Sequence, residues 1–392
     1  MITLRVVLDD MRLPGSIGRY SEELARALIE TAPAGCGVVG IVSAAHDSEI
    51  KAIEKVLPGL ESLVRLRMSR RALQTLWVAG GKFEQLVPNG ARRLLADTGG
   101  LSGMLHSTSL LAPLQASDRL EARGRQSAVT IHSAAAFTNP ATMSTAEVAW
   151  QRAMIKRAAK HADAIVVPTH STAEQLSHFV DVGERVRVIS AAVSSKLRVP
   201  IDADARAAAL DLPERYLLTT GSLNLARGLG DLITSMATGA APDVPLVITG
   251  ASDAAREAIE QHTASLGLDS SRVRVYGRLT DQELAVALDR ATVYVAPTVD
   301  DGIGLPLMEA LSFGAVTVYS DAPAHLEVAA GAGLAVARDD RRNYPERLAI
   351  AIGEALSDGE LAARLSVLAS DRARAFSWRD SAEKVWQLHA DL

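Results

Sequence analysis

A chain of 392 residues is longer than one hydrophobic core organises, so two domains are expected, and with 48% apolar residues both can bury an interior. A net charge of −5 gives no general attraction to nucleic acid or to an acidic membrane, and the single Cys36 excludes an internal disulfide and suits a reducing compartment. No apolar run reaches the roughly 20 residues that span a bilayer, and the chain opens on an apolar strand without a signal-peptide layout, so a cytoplasmic protein is expected.

Short Val- and Ile-rich runs alternate with longer Ala, Leu, Arg and Glu segments at helical spacing, which predicts parallel sheets with crossover helices in both halves. The first half offers strands at 6–8, 38–42, 104–106, 128–131, 164–167 and 186–189. Gly15 and Gly18 lie between the first strand and the first helix. The stretch from Leu63 to Trp77 is basic, apolar and tipped by an aromatic; it reads as a charged helix, suited either to a solvated cleft edge or to peripheral contact with an anionic membrane. Residues 191–213 show no strand and carry Ser, Lys, Pro and Asp. A linker is therefore placed at 194–213, between an N-terminal domain (1–193) and a C-terminal domain (214–375). The second half offers strands at 216–219, 245–248, 273–276, 293–295 and 316–318. A last helix, Arg379 to His389, lies in the segment 376–392. Asp202-Ala203-Asp204 spells a metal-binding Asp-x-Asp, but no strand precedes it. With no His-Glu-x-x-His or paired-Cys motif either, no protein-held metal and no cofactor are expected.

The most informative stretch is Val299 to Gly314. A strand ending near Ala296 runs into Pro297, and the loop behind it carries Asp301 and two glycines, Gly302 and Gly304, which let backbone approach a ligand. Pro306 suits a first helical turn, whose free amides and positive dipole end attract phosphate. Asp301 and Glu309, eight positions apart, can both face a ligand lying across the helix start, where carboxylates suit sugar and ribose hydroxyls.

This stretch resembles the acidic signature of retaining glycosyltransferases of the GT-B fold, family 4, roughly Glu-Gly-Phe-Gly-Leu-Pro-x-x-Glu-Ala-x-x-x-Gly. Asp301, Gly302, Gly304, Leu305, Pro306, Glu309, Ala310 and Gly314 match by position, with Asp301 in place of the first Glu. The continuation Val316 to Val328 resembles the family's next strand and its Glu-Val. Gly221-Ser222-Leu223-Asn224-Leu225-Ala226-Arg227 is similar to the diphosphate-gripping loop Gly-Ser-Leu-x-Pro-Arg-Lys, with Arg227 in the Lys position and Ala226 replacing an Arg. Gly15-Ser16-Ile17-Gly18-Arg19-Tyr20 resembles a loop that meets donor phosphates or acceptor. His132 resembles the His of a Thr-x-His-Asp segment that faces the transferred sugar, with Ser133 replacing the Asp.

The resemblance implies an α/β protein of the GT-B class, with two Rossmann-like domains facing each other across a cleft and a C-terminal helix that crosses back to the N-terminal domain. It implies transfer of a hexosyl group, with a lean toward mannosyl, from a nucleotide diphosphate sugar to a glycan or lipid-linked hydroxyl, without metal. The implied catalytic residues are His132, Asp301 and Arg227. The implied donor-binding residues are Gly15, Gly18, Gly221, Ser222, Arg227, Gly302, Ile303, Gly304, Leu305 and Glu309. The departures at Ser133, Ala226 and Asp301 keep open a GT-B domain that binds sugar nucleotide or a partner subunit without transfer. A sugar-nucleotide epimerase shares the architecture but accounts poorly for the Glu309 match.

Overall fold

The computed structural model describes residues 2–13, 15–79, 103–114, 125–220 and 228–392. These form two compact units, one of residues 1–191 with 377–392, the other of residues 192–376.

In the first unit the chain runs β1 (Ile2–Val7), α1 (Ser16–Glu30), β2 (Cys36–Val42), α2 (Asp47–Val56), β3 (Ser62–Arg65), α3 (Arg70–Ala79), β4 (Gly103–Ser107), β5 (Arg125–Thr130), α4 (Ala135–Thr138), α5 (Thr145–His161), β6 (Ala164–Val167), α6 (His170–Ser177) and β7 (Val186–Val188). The strands form a parallel sheet in the order β3-β2-β1-β4-β5-β6-β7. Helix α1 forms because Tyr20, Leu24 and Leu28 recur at four-residue spacing and stack one fully buried stripe against the sheet.

The second unit continues with α7 (Ala203–Ala209), β8 (Leu217–Thr219), α8 (Leu229–Ser235), β9 (Leu246–Ile248), α9 (Asp253–Ser265), β10 (Val273–Val275), α10 (Asp281–Arg290), β11 (Val293–Ala296), α11 (Leu305–Ser312), β12 (Thr317–Ser320), α12 (Pro323–Ala329), β13 (Leu334–Val336), α13 (Tyr344–Ser357) and α14 (Gly359–Ala373). Its parallel sheet runs β10-β9-β8-β11-β12-β13. That is the order of a dinucleotide-binding sheet, with the direction of winding reversing between β8 and β11. The last helix, α15 (Trp378–Asp391), belongs to the first unit. It buries Val385, Trp386 and Leu388 and lies against α1, where Trp386 Nε1 donates to the Leu28 carbonyl at 3.2 Å.

Three details differ from the sequence reading. Residues 62–65 are an edge strand rather than part of a basic helix, which begins only at Arg70; on β3 only Leu63 turns partly inward, so no alternation marked it. Strand β13 is three residues long and follows a Gly- and Ala-rich turn, too short to show a period. The stretch assigned as linker contains α7, which packs on α10. Its Asp-x-Asp carboxylates are held by arginines: Asp202 pairs with Arg206 at 2.8 Å, and Asp204 pairs with Arg290.

Candidate active site

Both sheets place their chemistry-bearing loops at the carboxyl ends of the strands flanking the switch point, where open α/β sheets bind ligands. In the second unit the flanking strands are β8 and β11. Gly228, in the left-handed region at φ 108°, closes the loop after β8; a Cβ there would lie 2.0 Å from the carbonyl oxygen of Pro297. The two loops therefore touch through backbone, and only glycine permits it.

Residues 297–304, after β11, are tied down from several directions. The Ser320 hydroxyl donates to the Thr298 carbonyl, and Arg338 Nη1 donates to the Val299 carbonyl at 3.0 Å while its Nε holds Asp321 at 2.6 Å. Asp301 Oδ1 accepts the amides of Ile303 and Gly304, each at 3.0 Å. Its Oδ2 faces Nε2 of the buried His325 at 3.9 Å. Burial pushes the Asp301 carboxyl up, but the facing His325 ring and the amides of Gly304 and Ile303 outweigh it and hold the group below the ordinary carboxylate range. Gly304 caps α11 at φ 68°, and a Cβ there would press on Val328 Cγ2 at 2.9 Å. With Pro306 in the first turn, the amides of Leu305 and Leu307 point out of the helix start without intrahelical partners.

Glu309 lies on α11 and is 1% exposed. Its charge and that of Asp301 both reach Tyr294 on β11, whose hydroxyl bonds Thr220 at 2.9 Å, at the end of β8. Burial raises the Tyr294 hydroxyl far above its usual range, and the two carboxylates add to that. The structure thus gathers Asp301, Gly302, Ile303, Gly304, Leu305 and Glu309 around one helix start. Gly221, Ser222 and Arg227 lie outside the described residues.

In the first unit, Gly15 caps α1 at φ 100° with open space where a Cβ would stand. Gly18 is required by its own loop, because a Cβ would fall 2.1 Å from the Leu13 carbonyl oxygen. His132 follows β5 and its Nε2 bonds the Thr108 carbonyl at 2.7 Å, so that nitrogen carries the proton. Its ring meets Tyr20 edge-on with centroids 4.7 Å apart.

His132 lines a cavity of about 840 Å³ together with Asp10, Arg70, Ser109 and Trp150. Asp10 Oδ1 accepts from Arg70 Nη2 at 2.7 Å, and Oδ2 accepts from the Ser109 hydroxyl. Next to it, burial raises the Asp9 carboxyl against the pull of the Ser43 hydroxyl and amide and of Arg70 and Arg12. Arg70 opens α3, whose apolar Leu73, Leu76 and Trp77 are buried in the unit's core. Those side chains are committed to the interior and do not form an outward apolar face for a membrane. Among the described residues no helix is long and apolar enough to cross one.

Sequence reasoning passed over Asp9, Asp10 and His325. Two acids directly after an apolar strand are a usable signal for a carboxyl-end site. His325 had none, since a single histidine on a short helix is unremarkable until its neighbours are known.

Two doubly wound parallel sheets, one with a glycine loop and the acids Asp301 and Glu309 at its switch point, are the architecture of the GT-B fold. Residues 214–358 match the model of the family described as glycosyl transferases group 1. The chain is 30% identical over 189 residues to an alpha-maltose-1-phosphate synthase of Mycolicibacterium smegmatis, covering 46% of this chain and 49% of that relative. It is 26% identical to the serotype-specific mannosyltransferase WbdA of Escherichia coli, covering 57% of this chain and 28% of the other. The chain thus spans about half the length of the first relative and less of the second. Among solved structures, sucrose-phosphate synthase of Thermosynechococcus elongatus matches with a TM-score of 0.73 at 22% identity, over 100% of this chain and 99% of that one. Anabaena HepE, in complex with UDP-glucose, matches with a TM-score of 0.74 at 14% identity over 100% of both chains. These likenesses show the fold.

Proposed function

We propose that this protein transfers a hexosyl group from a nucleotide diphosphate sugar to a hydroxyl of a glycan or lipid-linked acceptor, with retention of anomeric configuration. The observation that carries this reading is the placement of Asp301 in the loop before α11 and of the buried Glu309 within it, both close enough to act on Tyr294, at the switch point of a sheet inside the family-matched segment. In the reaction, C1 of the donor gains oxocarbenium character as the diphosphate leaves and the acceptor oxygen bonds to it. Growing negative charge on the leaving phosphate is met by the outward amides of the α11 start, by the helix dipole and by Arg227, which by its sequence position serves the same loop. The amides of Ile303 and Gly304 are occupied by Asp301 Oδ1, so Leu305 and Leu307 take the part first assigned to Gly304 and Leu305. Glu309 holds ribose hydroxyls, and the cavity beside His132 receives the acceptor.

The donor sugar is proposed only as a hexose. The mannosyl lean has support in the likeness to WbdA, while the maltose-1-phosphate synthase and the UDP-glucose complex of HepE favour a glucosyl donor equally well. A second reading, a sugar-nucleotide binder without transfer, draws on the inward engagement of both Asp301 oxygens.

Titration of UDP, GDP, ADP and dTDP into the wild-type protein and Glu309→Gln tests the assignment. One diphosphate is expected to bind the wild type, and the variant should bind it and its sugar derivative about 10- to 100-fold more weakly, as befits loss of a charge-assisted contact. Unchanged binding would remove Glu309 from the site. Binding with no turnover of any hexose donor would favour the second reading.

A further inference from the structure

His325 lies outside the acidic signature, yet it is joined to the signature loop at two points. Ser320 donates its hydroxyl proton to the Thr298 carbonyl, which can only accept. The Ser320 oxygen must then accept from His325 Nδ1, 3.1 Å away. That fixes the proton on Nδ1 and turns Nε2 toward Asp301 Oδ2 at 3.9 Å, a contact that attracts only when Nε2 is also protonated. The other oxygen of the same carboxylate holds the amides of Ile303 and Gly304. One unit from β12 and α12 therefore grips the loop at Thr298 and, through Asp301, at the residue that caps α11. Around this ring stand Asp301 from the loop, and Ser320 and the near-perpendicular ring of Tyr319 from β12. Glu309 on α11 shares Tyr294 with Asp301. Asp301 is one methylene shorter than the glutamate expected at its position, and the short side chain is what lets it fold back onto the amides while it meets the histidine.

We propose that His325 is a positioning residue of the sugar-nucleotide site, acting through Asp301 to hold the left-handed Gly304 cap and so aim the outward amides of α11 at the donor diphosphate. This rests on the functional reading above for its ligand, but not for the clamp itself. The two ends of the ring separate by substitution. His325→Gln keeps a donor where Nε2 stands and loses the Ser320 contact, whereas His325→Asn keeps the Ser320 side and cannot reach Asp301.

The first readout needs no ligand: amide hydrogen exchange over residues 297–305 in the 392-residue chain. Exchange at Ile303 and Gly304 should accelerate about tenfold in His325→Asn and in Asp301→Asn, stay nearer wild type in His325→Gln, and gain nothing further in the Asp301→Asn/His325→Asn double variant. The second readout is the Kd of UDP and of GDP, which for the diphosphate that binds should rise about tenfold in His325→Asn and less in His325→Gln. Equal effects of Asn and Gln, or unchanged exchange at 303 and 304, would overturn the clamp. Additive loss in the double variant would mean that His325 does not work through Asp301. If the wild type binds none of the four diphosphates the sugar-nucleotide reading falls, and the exchange comparison still decides the clamp.

Discussion

Three glycines shape the loops discussed above, one in the first unit and two in the second, and the reasons differ enough to be ranked. Gly228 has φ 108° and its missing Cβ would overlap the Pro297 carbonyl at 2.0 Å, a backbone atom that moves only with the loop. Gly304 has φ 68°, and its Cβ would meet Val328 Cγ2 at 2.9 Å, a milder overlap and with a side chain rather than a backbone carbonyl. Gly15 has φ 100° but open space around it. A left-handed alanine costs about 1–2 kcal/mol, and forced overlap in a packed site adds about 1–3 kcal/mol. Denaturant midpoints should therefore fall in the order Gly228→Ala, then Gly304→Ala, then Gly15→Ala, with the first losing about 3 kcal/mol or more. Equal losses at Gly228 and Gly15 would mean that the β8 and β11 loops do not meet as described. Glycine identity was legible in the sequence at all three positions, but the reason was not. The first-half pair was read for ligand contact, whereas Gly18 is fixed by Leu13 within its own loop.

Helix α15 shows what an element adds that its residues do not announce. The helix was legible from Arg379 to His389, but His389 had no evident role until it was found 2% exposed, near-perpendicular to the fully buried His106 of β4 with centroids 5.7 Å apart. Burial drives His106 down to about 3, with a further push from His389; burial likewise lowers His389 to about 4, against an opposing pull from Asp163. Both rings stay neutral in the folded protein, while in the unfolded chain they take up protons below about 6.5. The unfolded state then binds more protons across that interval, so stability falls as pH drops from about 6.5 toward 4. At pH 5 each ring costs on the order of 2 kcal/mol. Asp301, whose carboxyl is held low, contributes in the same direction only further down, where unfolded carboxylates begin to protonate near 3.8. Replacing both histidines by leucine should flatten the loss of stability between pH 7.5 and pH 5. An equally steep loss would place the acid-sensitive groups elsewhere.

For the whole molecule, alternation of short apolar runs and helical segments was enough to give two parallel α/β units, because every buried strand of a doubly wound sheet must be apolar on both faces. What escaped were elements without that signal, the edge strand β3, the three-residue β13 and the helix α7 within the presumed linker. The acidic signature was legible as a linear motif, since loop, cap and helix follow one another in the chain. The pairing of Asp301 with His325 was not, since it joins a loop to a helix beyond the next strand. The acids and amides proposed for the donor sit in the unit of residues 192–376, and the His132 cavity proposed for the acceptor sits in the other. A ligand that binds only the native state stabilises the unit that holds it by RT ln(1 + [L]/Kd), about 2.7 kcal/mol at 100 times Kd. Hydrogen exchange with the binding diphosphate at that excess should therefore slow chiefly within residues 297–312 and the core of the second unit. Residues 125–191 of the first unit should change little, because the diphosphate has no partner proposed there. Protection concentrated around His132 and Arg70 instead would move the phosphate site to the first unit, and with it the assignment of donor and acceptor halves.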